Sequence, residues 1–70
     1  MTDVVIYLSR PTTARGLWRL TTSNRSEHFY ASAADALSAA VVLARFFESA
    51  GETATVKVEQ PNGLWEVHRV

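Results

Sequence analysis

One stretch of this chain reads plainly as a helix, and its surface dictates what the rest must do. Residues 33–50 are rich in Ala and Leu, which lose little conformational freedom on entering a helix. Ser32 precedes them as a natural N-cap, because its hydroxyl accepts a bond from an unpaired first-turn amide. Asp35, three residues on, fits a capping box and favours the positive end of the helix. Gly51 closes the segment by accepting a left-handed conformation. At ~100° per residue, Ala33, Ala36, Leu37, Ala40, Leu43, Ala44 and Phe47 share one face. Small alanines there allow close approach to a sheet. The polar wedge is narrow, with Asp35, Ser38, Arg45 and Ser49. Val42 lies inside that wedge, with Phe46 and Ala39 at its edge, so the helix carries more apolar surface than one sheet face can cover.

The remainder breaks into short strand-like runs. Val4-Val5-Ile6-Tyr7-Leu8 is the most apolar of them, and its β-branched and aromatic content fits a central strand covered on both faces. Residues 10–16, with Pro11 and Gly16, read as a loop. Residues 17–22 read as a second strand and residues 27–30 as a third, with a turn between them at 23–26. Residues 53–59 alternate, with Ala54, Val56 and Val58 inward and Thr55, Lys57 and Glu59 outward. Gln60-Pro61-Asn62-Gly63 has the composition of a type I turn followed by a left-handed bulge glycine. Residues 64–69 then return as the last strand. The expected fold is α+β, in the order β-β-β-α-β-β, an antiparallel sheet with one helix packed on one face, all in a single domain spanning residues 1–70. A central first strand with the last strand beside it gives the order 3-2-1-5-4.

The tripeptide Gly-Leu-Trp opens two of these strands, at residues 16–18 and 63–65, and supplies both tryptophans. Alternation forces a choice of face. Burying Leu17 and Leu64 would also bury Arg19 and Glu66, at several kcal/mol for each unpaired ion. Trp18 and Trp65 are therefore expected to face the helix with Val4, Ile6 and Leu8. The reverse face would carry Val5, Tyr7, Leu17 and Leu64 among Arg19, Thr21, Thr55, Lys57, Glu59, Glu66 and His68. One helix cannot cover two sheet faces, and an apolar patch ringed by polar groups marks an association site.

Seventy residues bury only about 60% of the surface their unfolded form exposes, so such a core gains from reinforcement. There is no Cys, hence no disulfide, and the composition fits a reducing compartment. No apolar run approaches the ~20 residues of a membrane span, and Asp3 stands where a signal peptide would carry bases. The expected location is cytoplasmic, with no membrane partner. Formal net charge is zero, but residues 1–25 hold Arg10, Arg15, Arg19 and Arg25 against Asp3, and the acids dominate thereafter.

No motif points to an enzyme, a cofactor or a metal. Three scattered glycines make no phosphate loop, and His28 and His68 lack partners at ligand spacing. Two uses remain. The first is protein contact, with itself as a homodimer or with another protein, through Val5, Tyr7, Leu17 and Leu64 or through Val42 and Phe46. The second is weak nucleic-acid binding by segment 10–25, in which Arg10, Arg15, Arg19 and Arg25 meet phosphates and Tyr7 stacks a base. Glu59 and Glu66, placed on the same face, oppose it.

Gly16-Leu17-Trp18-Arg19-Leu20 also forms a Gly-x-Trp-x-apolar strand. A short strand then leads into the helix start Ser32-Ala33-Ala34-Asp35-Ala36, an Ala-rich helix ending in Gly51, a Val-rich strand and the turn Asn62-Gly63. Across residues 16–70 this resembles the small bacterial family called domain of unknown function 2188. The chain departs from that pattern in Trp65, in its apolar first strand and in its lower charge. The resemblance implies a fold and transfers no functional residue.

Overall fold

A computed structural model describes residues 3–13, 15–23 and 26–68. It contains β1 (Asp3–Ser9), β2 (Trp18–Thr22), β3 (Glu27–Tyr30), α1 (Ala33–Ser49), β4 (Thr53–Glu59) and β5 (Trp65–His68). The fold is α+β, with α1 packed on one face of a five-stranded sheet. The end of the expected last strand, at Arg69, lies outside the described residues.

The helix ends where its capping residues place the ends. Ser32 Oγ accepts the Asp35 N–H at 3.1 Å. At the other end Gly51 has φ +87°. The Gly51 N–H donates to the Glu48 carbonyl at 3.0 Å, and the Glu52 N–H to the Phe47 carbonyl at 3.0 Å. These paired bonds form a Schellman cap, which satisfies carbonyls that the helix itself leaves open.

The sheet order is β3-β2-β1-β4-β5. β1 is central, as its sequence predicts, but its second neighbour is β4 and not the last strand. β1 and β4 run parallel, so the sheet is mixed and not antiparallel throughout. The crossover explains both corrections. β3 already runs parallel to β1, two antiparallel steps away. A 17-residue helix carries the chain back about 25 Å along the sheet, at ~1.5 Å per residue. The strand that follows must then start at the same end as β3 and run the same way. The tight turn after it leaves β5 only the outer edge.

Ile6, Val56, Ala36, Ala40 and Ala44 are 0% exposed and form the core with Val4, Leu8 and Leu20. The three alanines recur every fourth residue, so one helical row of methyl groups lies directly on β1 and β4. Only one face of β1 is buried. Val5 is half-buried and Tyr7 exposed, which corrects the expectation of a strand covered on both sides.

Candidate interaction surfaces

The register assigns every strand residue to a face. Ile6, Leu8, Leu20 and Val56 lie beneath α1, so their neighbours Trp18, Tyr30, His28, Ala54 and Val58 point to the helix side. Trp18 is half-buried there, as the cost of burying Arg19 predicts. The Arg10 guanidinium covers its ring, 5.4 Å from the centroid.

Trp65 does the opposite. It pairs with Glu59, and Val67 pairs with Lys57, so both lie on the open face. Trp65 is 44% exposed and meets Tyr7 edge-on, with ring centroids 5.5 Å apart. Glu66 and His68 lie on the helix side instead, opposite Val58 and Val56. Leu64 joins that side, because its carbonyl accepts the Gln60 N–H at 2.7 Å and extends the same register. This corrects the assignment of Trp65, Leu64, Glu66 and His68. The cost of burying ions does not decide the face of β5, for a physical reason. Among the described residues α1 contacts β1 to β4 but not β5. Both sides of β5 are wet, so Glu66 and His68 stay exposed without penalty.

The turn held the missing signal. Gly63 has φ +84°, and its N–H donates to the Gln60 carbonyl at 2.9 Å. A type I turn with a bulge glycine fixes Gln60 opposite Leu64, hence Glu59 opposite Trp65. Since Glu59 faces outward, Trp65 must as well.

The apolar residues picked from sequence therefore separate into four places. Val5 and Tyr7 lie on the open sheet face, now joined by Trp65 and Val67. Leu17 lines a small hollow of about 170 Å³ at one end of that face, with Ser9, Arg10, Thr12, Arg19 and Phe29. Leu64 stands exposed in the turn before β5.

Val42 and Phe46 wall a larger groove on the helix side, about 670 Å³, between α1 and β3. Its other lining residues are Leu20, His28, Tyr30, Ser38, Ala39 and Leu43. Val42 is 69% and Phe46 65% exposed. They are the two large apolar residues that fall at or inside the polar wedge of the helix. The groove exists because α1 packs chiefly over β4 and β1 and only partly reaches β3.

Of the described arginines, Arg10 and Arg19 line the same small hollow. Arg10 is held at the β1 end, its backbone N–H donating to Glu59 Oε1 at 2.8 Å. Arg15 is exposed in the loop. Arg19 lies on the open face opposite Phe29. Arg25 lies outside the described residues. His28 and His68 sit on β3 and β5, at opposite edges of the sheet. Among the described residues no three His, Asp or Glu side chains gather as a metal site requires. Among the described residues no helix is long and apolar enough to cross a membrane.

No family model, curated protein or solved structure matches this chain.

Proposed function

We propose that this chain is a non-enzymatic contact module that works in the cytoplasm and associates with a second copy of itself. One observation carries this reading. The exposed Val42 and Phe46 wall an apolar groove continuous with the core through Leu20 and Leu43. Apolar surface of this kind, rimmed by polar side chains, is favourable to cover. A 70-residue core also gains most from such reinforcement. Sedimentation across about 1–100 µM tests the reading. A concentration-dependent dimer is expected, weakened by Val42→Asp and by Phe46→Asp. A monomer at every concentration overturns it.

Weak nucleic-acid binding is the second reading, favoured by the Tyr7–Trp65 ring pair beside Lys57 on the open face. Exposed rings stack bases and cations meet phosphates. Glu27 and Glu59 share that face and oppose it. Titration with single- and double-stranded oligonucleotides at two salt concentrations separates the readings. Binding that weakens with salt and with Arg15→Ala, Arg19→Ala or Trp65→Ala favours this second one. The resemblance to domain of unknown function 2188 adds a family proposal but no functional residue.

A further inference from the structure

The backbone itself indicates how two copies meet. Thr22 and Ser26 continue the β2–β3 register, and the Thr22 N–H donates to the Ser26 carbonyl at 3.1 Å. In an antiparallel pair, hydrogen-bonded positions alternate with non-bonded ones. The bonded pairs of this ladder are therefore Thr22 with Ser26, Leu20 with His28 and Trp18 with Tyr30. The N–H and C=O groups of Glu27 and Phe29 then point away from β2. β3 is the outermost strand, so these groups face the free edge. That edge carries no Pro, Lys or bulge to block a further strand.

Building on the homodimer reading, we infer that two copies join edge to edge through β3, antiparallel about a two-fold axis at Phe29. Both helices then lie on the same side of one ten-stranded sheet. Side chains facing one another across an antiparallel pair share a face. A two-fold at Phe29 sets the two Phe29 rings opposite each other on the open face, and His28 opposite the partner's Tyr30 on the helix side. The two copies of Glu27 sit at opposite ends of the new ladder. A two-fold at His28 would instead oppose two imidazoles and set each Glu27 against Phe29, a poorer match.

The groove selects β3 over β5. On the helix side β3 borders the trough walled by Val42 and Phe46, so one two-fold contact joins the two free edges and merges the two apolar grooves. β5 borders only Glu66 and His68 on that side, beyond the reach of α1.

Two measurements test this geometry. The chain has no Cys, so an introduced thiol is unique. Opposed Phe29 positions would lie about 5.5 Å apart between Cα atoms, within the range a disulfide spans. Phe29→Cys should oxidise to a covalent dimer at least about tenfold faster than Val67→Cys, a fold difference set by proximity. In the unmodified chain, exchange of the Phe29 amide should slow about tenfold or more between dilute and concentrated samples, because dimerisation ties the amide to the partner. The outward Val67 amide of β5 should not change. A dimer without Phe29 protection, or with faster Val67 cross-linking, overturns the β3 contact and leaves the homodimer standing. A monomer at 100 µM overturns both.

Discussion

Residues 16–18 and 63–65 spell the same tripeptide and end in opposite environments. Trp18 lies half-buried on the helix side with the Arg10 guanidinium over its ring. Trp65 lies on the open face against the edge of Tyr7. Even the glycines serve different ends. Gly63 holds φ +84° in open space, so its backbone angle is what matters. Gly16 has no such angle, but a Cβ there would come within 3.0 Å of the Pro11 Cβ. The lesson concerns reach. β2 lies beneath the helix, so alternation on it separates core from solvent. β5 lies beyond the helix, so alternation on it separates two wet surfaces, and the turn alone assigns the face.

Removing the two indoles is the strongest way to break this comparison. Trp18→Ala should cost about 3 kcal/mol, at the low end for core aromatics because the ring is only half-buried. Trp65→Ala should cost less than about 1 kcal/mol, since its ring is already partly hydrated and loses chiefly the Tyr7 contact. Urea unfolding of both variants measures the gap. Equal costs would mean that β5 is covered in solution.

The glycines give the next effect. Gly63→Ala should destabilise by about 1 kcal/mol through its positive φ. The same substitution by Asn, which tolerates that region, should cost about half as much. At Gly16 no Asn advantage is expected, because the obstacle there is the Pro11 and Thr13 atoms and not the backbone angle. Thermal midpoints of the four variants decide between angle and crowding.

The ring contacts are smallest. Arg10→Ala should cost about 0.5–1 kcal/mol by removing the cation over Trp18. Its backbone bond to Glu59 survives that change. The loss should vanish in a Trp18→Leu background, as a double-mutant cycle would show. A matching cycle on Tyr7 and Trp65 should return a coupling of about 0.5 kcal/mol or slightly more. No coupling would mean that the open-face rings do not meet in solution.

Much of the fold is legible in the chain. Ser32 and Gly51 bracket the helix by local hydrogen bonding, and the alternation of Val56 and Val58 separates inside from outside wherever a roof exists. The exposed Val42 and Phe46 could also be read from the wheel. The groove they wall could not, because it depends on where α1 sits across the sheet and how little of β3 it covers. His28 and Tyr30 line that groove and carried no signal beyond facing the helix side.

The sequence by itself determined the order of elements, the helix ends and the hairpin geometry at residues 60–64. These rest on bonds between residues a few positions apart, and the chain cannot avoid them. Only the tertiary structure decided that β4 takes the place beside β1, that the sheet is mixed and that Trp65 looks away from the helix. Those outcomes depend on the span of one crossover and the limited width of one helix, distances set between elements and not within them.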